Sequence, residues 1–255
     1  MATFPIWSQK KFAMPIRAIE QKRLYQQVAD QLTTLIQEGE FEPGKRLPAE
    51  RELSKMLGVS RPTVREAMIA LEIFGLIEVR TGSGIFVVPE KSRKTPLKEK
   101  LDSGPGPFEM LTARASIEGE AAAMAARTIS DGELEGLRDA LRLMEVNDAK
   151  NLSMEAGDRL FHQRIAEATH NSVMVSVIDE LWNMRELEPM WQKLQEHVDQ
   201  AAVERPSLGD HRKIIETLAA RDPEAARQAM RDHLERVKRD LLRLTTTEET
   251  EATPS

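Results

Sequence analysis

An aspartate and three histidines in the second half of the chain have the types and spacing of metal ligands. Asp158 and His162 are four residues apart, so they are neighbours on one face of a helix. His211 and His233 fall on or beside the apolar stripes of two further helices. Buried polar groups need partners, and an aspartate with three imidazoles makes a nitrogen-rich site for a divalent metal with positions left for water or ligand. Spacing alone leaves open that each histidine is a hydrogen-bonded core residue.

Arg114 also lies on an apolar stripe and is expected to point inward. It has two interpretations. One is a salt bridge to Glu118, one helical turn away. The other is a clamp for a small carboxylate, which a guanidinium binds through two parallel hydrogen bonds. Of the remaining histidines, His170 is interpreted as a capping or surface residue, and His197 has no assigned role.

A second group of chemically suited residues opens a helix in the first half of the chain. Ser60, Arg61, Thr63 and Arg65 are expected to stand at its exposed start. The guanidinium group of arginine can donate two hydrogen bonds to the major-groove edge of guanine, and hydroxyl groups donate hydrogen bonds to phosphates. These residues therefore indicate DNA binding. The alternative is a small packing unit with solvated arginines.

The elements around this group form a helix–turn–helix followed by a hairpin. Pro48 precedes the first helix and Gly58 closes it. Ser60 is a plausible N-cap of the second helix, which Gly75 ends. Periodicity also predicts a supporting helix over 23–37, and two short strands over 76–80 and 85–88.

From Phe108 onward the sequence carries no strand signal. Apolar periodicity and capping residues predict helices over about 109–127, 131–149, 152–169, 173–200, 207–220 and 223–244. The fold class is therefore mostly α. We expect a winged helix–turn–helix domain over 20–90, a linker over 91–107, an all-helical bundle that senses a ligand over 108–245, and a disordered tail over 246–255.

Charge is divided between the two halves. The 255 residues carry a net charge of −6, but residues 1–100 are net +5 and residues 101–255 are net −11. The half with the helix–turn–helix is thus the basic one, as phosphate binding requires. There is no cysteine, which excludes disulfides and thiolate metal sites. Because the sequence shows no apolar run of membrane-span length and no signal peptide, we expect a cytoplasmic protein that does not bind a membrane.

The segment LPAERELSKMLGVSRPTVREAMIALEIFGLIEVRTGSGIFV resembles the winged helix–turn–helix of the GntR superfamily of bacterial transcription regulators. The LPxER, VSRxxVREA and GxG elements occur in order at the family spacing. The resemblance implies that double-stranded operator DNA is the partner, and that the contacting positions are Arg51, Ser60, Arg61, Thr63, Arg65 and Gly82. Position 62 is proline where some relatives have a hydroxyl, so a contact from that side chain is lost.

The second half resembles the all-helical FCD ligand-sensing domain of one GntR branch. Its matching stretches are RASIEGEAAAMAA, DRLFHQRIAEATHN, DHRKIIETLAARDPEAA and MRDHLERV. The resemblance implies that Asp158, His162, His211 and His233 bind a divalent metal, with zinc the first choice and nickel, manganese or iron as alternatives. It also implies that this metal helps to hold a small organic-acid effector. RLYQQVADQL, GPFEMLTARASIE and LWNMRELEPMWQKLQEHVD are most similar to repressors of hexuronate-utilisation operons.

These observations predict a homodimeric repressor controlled by a hexuronate or a related sugar acid, and not an enzyme. Arg114 is the candidate effector clamp. One alternative is a metal-dependent hydrolase or sugar-acid-processing enzyme with a DNA-binding appendage, because a metal with an open position can activate water. Another is a domain with a structural metal, or none, that serves only for dimerisation.

Overall fold

A computed structural model of the chain describes residues 22–80, 83–92 and 104–245. Gly82, the predicted tail over 246–255 and residues 93–103 of the predicted linker lie outside the described residues. Within the described ranges, the elements form a small N-terminal unit of helices with one hairpin, followed by a helical second half. None of the helices in these ranges has the length and apolar character needed to cross a bilayer.

The N-terminal unit contains helices α1 (Leu24–Glu38), α2 (Glu50–Leu57) and α3 (Arg61–Ile73), and strands β1 (Ile77–Arg80) and β2 (Gly84–Val87). The two strands pair antiparallel and form the hairpin called the wing below. Gly58 closes α2 with φ 66°, a left-handed conformation that favours glycine. Ser60 caps α3 by accepting a hydrogen bond from the backbone N–H of Thr63 (3.3 Å). The helix–turn–helix and hairpin predicted from the sequence are confirmed.

The second half contains helices α4 (Pro107–Thr128), α5 (Asp131–Ala149), α6 (Glu155–Ala168), α7 (Ser172–Leu187), α8 (Pro189–Gln195), α9 (Gln200–Ala219) and α10 (Pro223–Thr245). Helix α4 is central and packs against α6, α7, α9 and α10. Its buried face is rich in alanine, with Ala121, Ala122, Ala125 and Ala126 fully buried, so the surrounding helices approach closely. The fold class predicted from the sequence is confirmed.

Two predicted helix boundaries are wrong. The single helix expected over 173–200 is two helices, α7 and α8, separated by Glu188 in an extended conformation (ψ 120°). The ring of Pro189 disfavours helical geometry at the residue before it, which explains the break. The helix expected over 207–220 begins at Gln200 and contains Pro206. Burial of Val203 and Leu208 on either side of the proline offsets the one hydrogen bond that the proline cannot donate.

A carboxylate of the N-terminal unit caps the central helix of the second half. Oε1 of Glu66, on α3, accepts hydrogen bonds from the backbone N–H groups of Phe108 (2.9 Å) and Glu109 (3.0 Å) in the first turn of α4. Gly106 makes this approach possible, because a Cβ at that position would lie 2.2 Å from the Glu66 carboxyl carbon. The two halves are thus joined by a buried helix cap.

Candidate functional site

The four residues predicted as metal ligands come together in the second half of the molecule. Asp158 and His162 lie on α6, His211 on α9 and His233 on α10. One potential ligand atom from each lies within 4.8 Å of the others, and this group is called the four-residue cluster below. The three imidazoles are fully buried. Oδ1 of Asp158 lies 3.1 Å from Nε2 of His211 and 3.5 Å from Nε2 of His162.

Two carboxylates outside the cluster fix the orientation of two of its imidazoles. Glu118 of α4 contacts Nδ1 of His162 through Oε2. Asp210 of α9 lies 3.2 Å from Nδ1 of His233. In both rings the Nδ1 side is therefore occupied, and Nε2 faces the cluster. A carboxylate behind a ligating histidine is the usual outer partner that sets the ring tautomer and raises ligand basicity.

Burial and neighbouring charges shift the pKa values of these groups in different directions. Burial lowers the pKa of His233 to about 3, and it also lowers the pKa of His211. Burial would lower the pKa of His162 too, but the charge of Glu118 and the nearby Asp158 outweigh it, so the net pKa is raised. Desolvation would raise the pKa of the half-buried Asp158, but the imidazoles of His162 and His211 outweigh it and hold that pKa well below the usual value. The cluster thus combines an ionised carboxylate with at least two neutral imidazoles, a donor set that suits a divalent cation.

The cluster also contains polar atoms that the described protein leaves without partners. Oδ1 of Asp158, Nε2 of His162 and both ring nitrogens of His211 are buried and make no hydrogen bond to any described residue. A buried polar atom without a partner costs about 1–3 kcal/mol, so several at one point would be a large penalty. A metal ion would satisfy these atoms at once. The residues present therefore fit a divalent metal.

A small cavity of about 70 Å³ adjoins the cluster and is called the effector cavity below. His211, His233 and Asp158 form one side of it, and α7, α8 and α9 provide most of the remainder. The polar residues that line it beyond the cluster are Arg185, Gln195, Gln200, Glu204 and Ser207.

Arg185 supplies the cation of this cavity. Its guanidinium carbon lies 4.7 Å from the ring centroid of Trp182 and 4.5 Å from that of Trp191. Its Nη1 lies 3.7 Å from Oδ2 of Asp158, and its Nε makes no hydrogen bond to a described residue. Nη2 lies 3.4 Å from Oε1 of Glu155. The aromatic rings hold the planar group in place, and Nε is its donor without a hydrogen bond to a described residue.

Arg114, the candidate clamp predicted from the sequence, has a different environment. Its Nε lies 2.5 Å from Oε1 of Glu118, and both side chains are buried. Its guanidinium carbon lies 4.1 Å from the ring centroid of Trp182. The salt-bridge interpretation is therefore present in the structure, and among the described arginines Arg185, not Arg114, lines the effector cavity. Arg114 is linked to the cluster through Glu118, which contacts His162.

The residues predicted to contact DNA are exposed to different degrees. Arg51 and Ser60 are exposed, while Arg61 and Thr63 are half-buried, and all four lie on α2 or at the start of α3. The expectation that Arg65 is exposed is wrong. Its side chain is 2% exposed, and its Nε lies 2.8 Å from Oε1 of the equally buried Glu50. Arg65 faces back toward α2 because its position on α3 lies opposite the start of that helix.

Sequence reasoning missed several residues of the site. Asp210 stands beside a predicted ligand, His211, and this adjacency was an available signal. Arg185 lies three residues after Trp182, a spacing that places both on one helical face, but only the fold brings Trp191 over it. His197, which had no assigned role, lies 2.7 Å from Glu72 of α3.

Both halves of the chain match known protein families. The profile described as bacterial regulatory proteins, gntR family, matches residues 24–87. The profile of the FCD domain matches residues 109–236. The first matched range contains α1 to β2, and the second contains all four residues of the cluster.

Two relatives with similar sequences agree with these matches. The chain is 42% identical over 229 residues to the Uxu operon transcriptional regulator of Escherichia coli strain K12, covering 88% of this chain and 89% of that protein. It is 37% identical over 225 residues to the Exu regulon transcriptional regulator of the same strain, covering 86% of this chain and 84% of that protein. A solved structure, Streptococcus agalactiae GntR, is 28% identical, covers 84% of this chain and 99% of that chain, and has a TM-score of 0.43.

Proposed function

Since the chain belongs to the GntR family of bacterial regulatory proteins and carries an FCD domain, we propose that it is a homodimeric repressor whose affinity for operator DNA is controlled by a sugar acid. The sugar acid binds in the effector cavity, against a divalent metal held by the four-residue cluster. The relatives named above are transcriptional regulators and not enzymes, which argues against the hydrolase alternative.

One observation carries the proposal: the four-residue cluster, with its unpartnered buried atoms, lies next to a cavity that contains the guanidinium of Arg185. Asp158, His162, His211 and His233 would hold the metal, and zinc is the first choice because three imidazoles and one carboxylate suit it. When bound, the metal supplies a Lewis-acidic position for an oxygen of the effector. A purely structural metal would not require a guanidinium in the adjoining cavity.

The lining of the effector cavity supports a hydroxylated carboxylate as the effector. Arg185 matches a carboxylate, which a guanidinium binds with charge-assisted hydrogen bonds. Glu204, Gln195, Gln200 and Ser207 provide acceptors and donors that match hydroxyl groups. A hexuronate carries one carboxylate and several hydroxyls, so its chemistry fits both parts of the cavity.

The DNA-binding half of the proposal rests on Arg51, Ser60, Arg61 and Thr63. They lie on α2 or at the start of α3, where hydroxyls and guanidinium groups favour phosphates and base edges. Gly82, which falls between β1 and β2 in the sequence, stays a predicted DNA contact. Two copies of α3 presented by a dimer would read the two half-sites of a palindrome.

A thermal-shift screen with a DNA-binding readout tests this function. The full-length protein is melted with and without zinc, against D-glucuronate, D-galacturonate, D-fructuronate and D-tagaturonate. Duplexes that the protein selects from a random-sequence pool serve as the DNA. We expect zinc and one sugar acid to raise the melting temperature together, and the same pair to change DNA affinity. Turnover of the sugar acid would instead favour the enzyme alternative, and a zinc effect with no sugar-acid effect would favour a structural metal.

A further inference from the structure

A buried carboxylate on α3 joins three parts of the molecule. The side chain of Glu72 is 8% exposed, and its Oε2 lies 2.7 Å from Nε2 of His197, just beyond α8. Its Oε1 accepts a hydrogen bond from the backbone N–H of Val79 in strand β1 (3.2 Å). Nζ of Lys193, on α8, lies 3.7 Å from the same oxygen. Glu72 therefore connects α3 and the wing to the second half of the molecule.

The helix that reaches Glu72 also forms a wall of the effector cavity. Trp191 and Gln195 of α8 line the cavity, and Trp191 stacks on Arg185. Helix α8 has only seven residues, and the backbone N–H of His197 still bonds to the carbonyl of Leu194 (3.1 Å). The cavity wall and the Glu72 contact thus belong to one short, continuous element, so they move together.

The size of the cavity indicates that a sugar acid has to displace its walls. By the same measure, one buried water needs roughly 10–15 Å³, so a cavity of about 70 Å³ holds only a few waters. A hexuronate is much larger than that. Because α8 is short and begins at a break after α7, it is the wall that a bound sugar acid would shift most readily.

We propose that Glu72 is the positioning residue through which α8 couples the effector cavity to the DNA-reading surface. This inference rests on the proposed function and adds the contact through which effector binding reaches the DNA-binding unit. With α8 in the observed position, His197 and Lys193 hold Glu72, and Glu72 holds strand β1. When α8 shifts outward, this contact opens, and α3 and the wing are released from the second half. Operator affinity then changes although no DNA-contacting residue has been altered.

Hydrogen exchange of the full-length protein tests the contact directly, without effector or DNA. His197→Ala removes the partner of Glu72, whereas His197→Gln keeps an N–H donor in its place. Gln192→Ala, an exposed position on α8, is the matched control. We expect His197→Ala to speed amide exchange over residues 72–80 by about threefold or more, His197→Gln to restore at least half of the protection, and Gln192→Ala to leave it unchanged. Equal exchange in His197→Ala and the wild type would overturn the proposal.

A second measurement follows the coupling itself. The affinity for pool-selected DNA is compared with and without zinc and D-fructuronate or D-glucuronate. If the wild type responds by about 100-fold, as a working switch would, we expect His197→Ala to respond by less than about tenfold while its calorimetric affinity for the sugar acid stays within about threefold. If the DNA affinity of His197→Ala responds to the sugar acid as fully as that of the wild type, coupling through Glu72 is overturned and the proposed function is not. If no sugar acid alters DNA binding by the wild type, the proposed function fails, and hydrogen exchange alone decides the role of Glu72.

Discussion

Glu118 contacts Nδ1 of His162 on the side of the imidazole that faces away from the four-residue cluster. Burial would raise the pKa of Glu118, but Arg114 and His162 outweigh it and hold that pKa at about 2. The carboxylate therefore stays ionised and would keep a proton of His162 on Nδ1, so that a metal entering the cluster would bind at Nε2. The cluster is thus prepared by a residue on a helix that carries none of its four members.

This relationship predicts the effect of Glu118→Gln. The amide cannot hold the imidazole proton as strongly, so we expect zinc affinity to fall by about 10–100-fold, the usual cost of losing an outer-shell partner. A zinc competition titration measures it. Glu120→Gln, an exposed change on the same helix, is the control and should leave the zinc affinity as it is. An undiminished affinity in Glu118→Gln would show that His162 does not need its carboxylate partner.

The surroundings of Arg185 and Arg114 predict that substituting the first weakens sugar-acid binding and substituting the second weakens zinc binding. We expect Arg185→Lys to weaken binding of the active sugar acid by roughly 10–100-fold, because a planar, two-pronged contact is replaced by a point charge. Zinc affinity should change little. Arg114→Lys should instead weaken zinc, through Glu118 and His162. Calorimetry with zinc and sugar acid in turn distinguishes the two, and the reverse pattern would identify Arg114 as the clamp.

The buried pair of Arg65 and Glu50 predicts a loss of stability. Removing one partner of such a pair leaves an uncompensated buried charge, so Arg65→Ala should cost about 3–5 kcal/mol in the free energy of unfolding. Urea denaturation measures this cost, and Glu50→Ala added to Arg65→Ala should recover part of it. A stable Arg65→Ala protein that has lost DNA binding would show that Arg65 leaves Glu50 and reads bases.

Substituting Arg61, in contrast, should lower the affinity for DNA and leave the free energy of unfolding unchanged. We expect Arg61→Ala to weaken binding to pool-selected DNA by about 1–3 kcal/mol and to relax sequence preference at one position. Fluorescence titrations over a range of salt concentrations provide the measurement. Arg138→Ala, an exposed change on α5, is the control. Equal DNA affinity in both variants would contradict the assignment of Arg61.

Glu66 predicts a pH dependence of stability. Burial raises the pKa of this carboxyl from 4.5 to about 7, although the backbone N–H groups of Glu109 and Phe108 oppose the shift. Below pH 4.5 the group is protonated in both folded and unfolded chains. As the pH rises from 4.5 to 7 the unfolded chain ionises first, so the contribution of Glu66 to stability falls, by about 3 kcal/mol in total.

Glu66→Gln isolates this contribution, because the amide oxygen still accepts hydrogen bonds from α4 and does not titrate. Denaturant unfolding of both proteins between pH 4.5 and 8 gives the difference in free energy. The wild type should lose stability relative to Glu66→Gln up to about pH 7, and the difference should then be constant. A difference that does not vary with pH would mean that Glu66 ionises normally in the folded protein.

Local sequence was sufficient for features that depend on one segment. The cap at Ser60, the end of α2 at Gly58 and the shared face of Asp158 and His162 all depend on residues a few positions apart. The inward direction of His211 and His233 followed from apolar periodicity. Their meeting point also needs the crossing of α6, α9 and α10, which periodicity does not give.

Features that depend on a second segment were beyond sequence reasoning. The exposure of Arg65 was misjudged because the partner, Glu50, comes from another helix. Arg185 was missed as a residue of the cavity because its place depends on Trp191, across the break at Pro189. That break was itself readable, since a proline disfavours helical geometry at the preceding residue.

The cap that Glu66 places on α4 has a consequence for dissecting the protein into fragments. A piece beginning near Gly104 keeps all four members of the cluster, but the first turn of its central helix loses the acceptor for the Phe108 and Glu109 amides. Phe108 would then fray from its packing at the base of α4. Ligand affinities measured on such a truncated piece therefore describe a loosened bundle and not the sensing half of the intact chain.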